Sequence, residues 1–154
     1  MKIAIRRGAC LMAGLAMASC ASATQPEGRQ ASLAGTNWAV TRLAGQRAPT
    51  GRRPAATIHF APGGAIDGTV ACNDVGSGSN DWTANGGFIR HPERPSIITT
   101  VGCLGEDRQS AFGGLFWNRM DGAVSWARTG DRLTIRFEDD ATAELRRLRH
   151  GTER

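Results

Sequence analysis

A six-residue run, Arg132–Phe137, constrains the fold of this chain more tightly than any other feature: Leu133, Ile135 and Phe137 alternate with Arg132, Thr134 and Arg136. Successive side chains of a strand point to opposite faces, so the pattern belongs to a strand with one face in a core and the other in water. Thr129-Gly130-Asp131 and Glu138-Asp139-Asp140 are turn sequences on either side. They link this strand to Val124–Arg128 and Ala141–Leu148, which makes the region an antiparallel meander. Earlier in the chain, Thr36–Leu43, Ala56–Ala61, Ala65–Ala71 and Ser96–Val101 are short alternating or β-branched runs. Pro62-Gly63-Gly64 is brief enough to close the second and third of these into a hairpin.

One segment follows a different period. From Glu106 to Met120 there is no proline, two acids open the stretch, and Gly122 stands ready to end it. Phe112, Leu115, Phe116 and Met120 recur at helical spacing. Gly113-Gly114 in the middle costs about 1 kcal/mol per glycine relative to alanine, so this helix depends on packing rather than propensity. Its apolar stripe is expected to cap or plug a curled sheet, burying Phe112, Leu115 and Phe116 against Trp38, Phe60, Leu133, Ile135 and Phe137. Between Asn73 and Pro95, Gly, Ser, Asn, Asp and Pro dominate, and the stretch reads as loop with a short strand at Phe88-Ile89 and Trp82 at a strand edge. Asp74, Asn80 and Asp81 lack the alternating oxygen ligands and closing Glu of a calcium loop, and turn chemistry accounts for them.

The first residues read as an address. Lys2, Arg6 and Arg7 precede an apolar stretch from Gly8 to Met17, and Met17-Ala18-Ser19-Cys20 has the small residues before cysteine of a lipoprotein cleavage site. The stretch is shorter than the about 20 residues of a membrane helix. Residues 1–19 are therefore expected to be a lipoprotein signal peptide, with Cys20 becoming the acylated first residue. Ala21–Ser32 is small, polar and aperiodic, the composition of a tether, so residues 20–32 would join lipid to domain. Ala21 in place of an aspartate after Cys20 points to the periplasmic face of the outer membrane. Without Lys2, Arg6 and Arg7 the 19 basic residues fall to 16 against 14 acids, and the formal charge from +5 to +2. That small charge argues against nucleic acid as a partner, and with no basic amphipathic helix the domain has no evident lipid affinity of its own. A monomer held to the membrane through Cys20 is the expectation.

Cys10 falls in the signal and Cys20 carries lipid, leaving Cys72 and Cys103 in the exported domain. Two thiols in an oxidising compartment are expected to form a disulfide. The alternatives are two buried free thiols, or a zinc site that would have to recruit His59 and His91 without any short ligand spacing. The chain is thus expected to hold no metal and no cofactor.

Enzymatic signatures are weak. Ser77 and Ser79 lie in a Gly-Ser-Gly-Ser run without a nucleophile elbow. His59 alternates with Ile58 and Phe60 and should face water, and His150 falls in the closing residues. Glu106, Asp107, Asp121, Asp139 and Asp140 sit where helix ends and turns would place them. The sequence points to no catalytic residue and singles out no ligand-binding residue.

Leu33-Ala34-Gly35-Thr36-Asn37-Trp38, Cys72-Asn73, Thr99-Thr100 ahead of Cys103, Glu106, Phe112 to Leu115, and Gly130-Asp131-Arg132-Leu133-Thr134-Ile135 together resemble the META domain family of HslJ-like heat-shock envelope lipoproteins. The resemblance runs from about Leu33 to Leu148. It departs from the family pattern at Ala71, where glycine usually precedes the Cys-Asn pair, and at Arg90–Pro95. It implies a mainly β fold with one helix (α+β), a small antiparallel β-barrel-like sheet capped by a single α-helix, occupying residues 33–149 before a tail at 150–154. It offers no catalytic residues, and implies a non-enzymatic role in envelope stress or drug tolerance through binding. The alternative is a small carrier of an apolar ligand or an inhibitor of a secreted hydrolase, since a small barrel can be filled by side chains or hold one molecule.

Overall fold

The computed structural model describes residues 32–62, 65–76, 83–85, 87–90, 97–99 and 102–149. In chain order the strands are β1 (Thr36–Leu43), β2 (Gln46–Arg47), β3 (Ala56–Phe60), β4 (Ile66–Val70), β5 (Asn73–Gly76), β6 (Thr83–Asn85), β7 (Phe88–Arg90) and β8 (Ile97–Ile98). Helix α1 (Asp107–Met120) follows, then β9 (Ala123–Thr129), β10 (Arg132–Phe137) and β11 (Thr142–Leu148). All pairings are antiparallel, in the order β6-β7-β9-β10-β11-β1-β3-β4-β5-β8, with β2 folded back on β1. The result is a curled, barrel-like sheet with one helix across its concave face. β1 lies at the centre, where it joins the early strands to the late meander.

The alternation in β10 is realised in full, with Leu133, Ile135 and Phe137 buried and Arg132, Thr134 and Arg136 exposed. Turn chemistry sets the registers. Ala44-Gly45 closes β1 onto β2 with positive φ at both residues (46° and 79°), the arrangement whose twist suits a two-residue hairpin. Gly130 does similar service between β9 and β10 at φ 58°. Ala71, between β4 and β5, also takes a left-handed conformation, at φ 51°. Glycine adopts that region at the least steric cost, which gives the physical reason for glycine in the family pattern there.

Helix α1 buries Gln109, Phe112, Gly113, Phe116, Trp117 and Met120. Leu115, expected in the core, is instead 55% exposed, and Trp117 takes the buried place. The rotation of the helix follows from Gly113: a Cβ there would collide with the carbonyl oxygen of Ala55 and crowd Val70. Only the bare glycine lets the backbone come so close to the sheet, and turning that face inward carries Leu115 to the flank. The other expected core residues are all buried, and Trp126, Ile58, Leu145 and Val40 join them.

Two expectations for the middle of the chain need correction. Asn73–Pro95 is not all loop, because β5, β6 and β7 run through it. Backbone pairing to β4 and β9 supplies there the order that side-chain periodicity does not announce. The expected Phe88-Ile89 strand is present within β7, with Ile89 buried and Phe88 exposed. Of Ser96–Val101, Ile97–Ile98 form a strand and Thr99 does not. Cys10, Cys20, Ser77, Ser79, Asn80, Asp81, Trp82, His91 and His150 lie outside the described residues.

The two helix glycines should respond oppositely to a methyl group. Gly113→Ala should lower the unfolding free energy by about 1–3 kcal/mol, because overpacking against backbone outweighs the propensity benefit. A Cβ on Gly114 would meet nothing within 4 Å, and Gly114→Ala should raise stability by up to about 1 kcal/mol. Denaturant unfolding of the two variants checks the contrast.

Candidate functional site

Some of the residues that carry the family resemblance, Cys72-Asn73, Thr99, Cys103 and Glu106, converge where α1 enters the sheet. Cys72 and Cys103 are joined in a disulfide with their Cα atoms 5.7 Å apart, linking the β4–β5 turn to the segment just before the helix. The backbone N–H of Cys72 donates to Cys103 Sγ at 3.2 Å, and Asn73 Nδ2 donates to the same sulfur at 3.3 Å. Thr99 fastens the next residue: its Oγ1 accepts from the Asp74 N–H at 2.9 Å, and its own N–H donates to Asp74 O at 3.0 Å. Glu106, at the N-cap position, donates its N–H to Cys103 O and makes no side-chain cap. Residues distant in sequence, Cys72-Asn73, Thr99, Cys103 and Glu106, thus form one junction, half-buried apart from the exposed Thr99.

Cys72, Cys103 and Glu106 bring a ligand atom each within 4.8 Å of one another. With both sulfurs oxidised the pair has no thiolate to offer, so the junction is a staple rather than a coordination sphere. His59 does not approach it. On β3 it meets Asp67 across the β3–β4 pair, Nδ1 to Oδ2, at 3.1 Å, half-exposed on the outer face.

Beside the junction is an open polar depression of about 420 Å³ lined by Pro49, Thr50, Gly105, Asp107, Arg108 and Gln109. Gln109, buried at 8% exposure, donates from Nε2 to Thr50 O at 3.0 Å and ties the long β2–β3 connection to the helix. Leu104, between the disulfide and Gly105, is 99% exposed.

A second depression, about 330 Å³, lies at the far end of the sheet and is lined by Gly35, Asn37, Asp131, Arg147, Leu148 and Arg149. Asn37 Oδ1 is buried there without a hydrogen-bond partner among the described residues. The Arg149 guanidinium, bonded to Asp131 at 2.8 Å, holds that carboxyl below the ordinary carboxylate range, and the charges of Arg149, Arg147 and Arg128 act in the same direction. Arg128 also lies over the Trp38 ring, 5.4 Å from its centroid, and donates to Ser32 O at 2.9 Å and Gly130 O at 3.2 Å. Arg146, Arg147 and Arg149 are near neighbours in the sequence. The β9–β10 hairpin brings Arg128 and Arg132 to them through strand register, which no linear pattern displays.

The META domain family matches residues 31–150, which span the disulfide junction and all the strands described above. This chain belongs to the META domain family. Two solved structures are similar to it: an NMR structure (14% identity, TM-score 0.55, covering 74% of this chain and 90% of that one) and an NMR structure of a protein from Burkholderia xenovorans (13% identity, TM-score 0.56, covering 75% and 83%). At such identities they establish the fold that the META domain shares with them. No curated protein matches the sequence.

Two measurements probe these sites. Replacing both cysteines of the META domain, Cys72→Ser with Cys103→Ser, should lower stability by about 3–4 kcal/mol, the loop-closure value for their separation of 31 residues. Asp131 should titrate below an ordinary aspartate in an NMR pH series, and Arg149→Gln should move it upward. The sign follows from the depressed folded-state value: the interaction stabilises above the unfolded-state pKa and fades as pH falls through the folded one.

Proposed function

We propose that this META domain is held at the bacterial cell envelope by an acylated Cys20 and acts there by binding through its surface, without catalysing a reaction, in envelope stress or drug tolerance. One observation carries the surface reading. The concavity of the curled sheet is occupied by Trp38, Ile58, Phe60, Phe116, Trp117, Leu133, Ile135 and Leu145, all at most 5% exposed. Carriage of an apolar ligand would need the space these side chains take, whereas the rims and outer face present Arg, Asp, Thr and His to water. The Met17-Ala18-Ser19-Cys20 sequence supports the anchor, and Ala21 supports the periplasmic face of the outer membrane. No described helix is long and apolar enough to cross a membrane.

A second reading from another class, inhibition of a secreted hydrolase, has its own support in Leu104. A fully exposed leucine between a disulfide cysteine and a glycine is a side chain presented on a pinned loop. Binding through a prefixed loop avoids the ordering cost that a free segment would incur.

Metabolic labelling with palmitate tests the anchor. The full-length chain should incorporate label and fractionate with the outer membrane, and Cys20→Ser should lose both the label and the cleaved form. A chain processed and membrane-bound without label would refute it. Native mass spectrometry of the envelope-purified protein separates the binding readings. A co-purified protein lost in Leu104→Asp supports the pinned loop, and a retained apolar adduct would overturn the filled-interior argument.

A further inference from the structure

We propose that the arginine-rich end of the sheet is a docking surface for anionic phospholipid headgroups of the membrane to which the chain is anchored, so that the domain lies on the bilayer by this end rather than hanging free. The inference rests on the anchoring reading above and goes beyond it. That reading gives the domain an attachment point; this one gives it an orientation.

The surface is assembled by register. Arg128 and Arg132 flank the β9–β10 turn, Arg146, Arg147 and Arg149 end β11, and the start of β1 pairs with that same end, Asn37 opposite Leu148. Arg149, Arg147 and Arg128 act on one carboxylate, Asp131, while Arg132 and Arg146 stand opposite each other on the outer face of the same strand ends. Arg149 bonds to Asp131 and Arg128 is spent on Trp38, Gly130 and Ser32. Arg132, Arg146 and Arg147 have no ion pair among the described residues. Arg132 and Arg146 are direct cross-strand partners on the wet face, a like-charge pairing that opposes folding. The net charge of the exported chain conceals this end. Of its +2, the cluster contributes five positive charges and one negative, +4, which leaves −2 for everything else.

The place of the cluster names its occupant. Ser32, where the described domain begins, is held by Arg128 of the cluster itself. Twelve peptide units separate Ser32 from Cys20, and even fully extended they span at most about 43 Å. An acylated Cys20 therefore confines this end, more than any other part of the domain, to the neighbourhood of the headgroups. Short-range attraction suffices there, because the screening length is about 8 Å at physiological salt and each basic residue near an anionic surface adds to the affinity. The 330 Å³ depression lined by Arg147 and Arg149 has room for a headgroup.

The test uses the whole exported sequence, residues 20–154, with Cys20→Ser so that no acyl chain contributes. Vesicles of phosphatidylglycerol mixed with phosphatidylcholine are compared with phosphatidylcholine alone at low and physiological salt. The chain should partition onto the anionic vesicles only, and less as salt rises. Arg132→Gln, Arg146→Gln and Arg147→Gln together should lose on the order of a hundredfold of that partition, from about fivefold per arginine. The matched set Arg47→Gln, Arg52→Gln and Arg53→Gln, which removes the same charge elsewhere, should leave most of it. Thermal unfolding confirms that each variant is folded. Equal loss in the two sets would show that net charge rather than this surface binds, and overturns the proposal. So would a folded chain that ignores anionic vesicles at low salt, an outcome that would assign the arginines to an acidic protein. Palmitate labelling of the full-length chain reads the anchor separately: absent label with vesicle binding intact removes the anchor and keeps the surface.

Discussion

The close approach of helix α1 to strands β3 and β4 is the contact on which the rest of this structure depends. It uses two glycines from opposite sides. Gly113 brings the helix backbone against the Ala55 carbonyl, and Gly68 on β4 leaves room for the Trp117 ring, which a Cβ at that position would strike. Trp117 then donates its Nε1–H to the Thr69 carbonyl at 3.2 Å, so a large ring is buried without an orphaned donor. Phe116 meets it edge-on, ring centroids 5.7 Å apart, and Met120 completes the buried stripe. A helix with two central glycines has little stability alone, and this interlocking with the sheet is what holds it helical.

The disulfide acts on the same contact from the covalent side. By tying the residue before the helix to the β4–β5 turn, it fixes where α1 starts relative to the strand against which Trp117 packs. The Cys72 N–H and the Asn73 amide both point at Cys103 Sγ, and Thr99 holds the neighbouring Asp74 backbone. The left-handed Ala71 turn feeds this junction, and its N–H reaches the Ala55 carbonyl at 3.0 Å, the oxygen that excludes a side chain from Gly113. Helix rotation, turn conformation and cross-link thus share one backbone carbonyl. Cys72, Asn73, Thr99 and Cys103, one part of the family's pattern, cluster here because each fixes a coordinate of the same docking geometry.

How much of this was legible in the sequence depended on whether the cause was local. β1 and β10 fall where alternation placed them, because period two is written in consecutive residues. Leu115 and Trp117 exchanged roles because helical periodicity cannot say which of two adjacent apolar flanks faces inward; a glycine touching a distant carbonyl decides that. β5 was missed for a related reason, since Asn73–Gly76 has strand order from its partners rather than from its composition. The disulfide could be inferred by counting exported cysteines, yet its company with Asn73, Thr99 and Glu106 came from the family resemblance and then from geometry. The arginine cluster was half visible. Three of its members are near neighbours in sequence and two arrive by register.

The two ends of the sheet therefore differ in what they must do. At the helix entrance, covalent and hydrogen-bonded constraints converge on the disulfide. At the opposite end, like charges oppose one another across Arg132 and Arg146, a depression stays open, and Asn37 Oδ1 is buried without a hydrogen-bond partner among the described residues. A sequence selected for stability alone would neutralise that pair with a glutamate, as Glu144 does for Arg42 one register step away. The core, filled by the side chains that α1 presses into the sheet, supplies the stability that tolerates such an end. Its chemistry is thereby directed outward, toward whatever anion lies opposite the strand ends from which the chain leaves for Cys20.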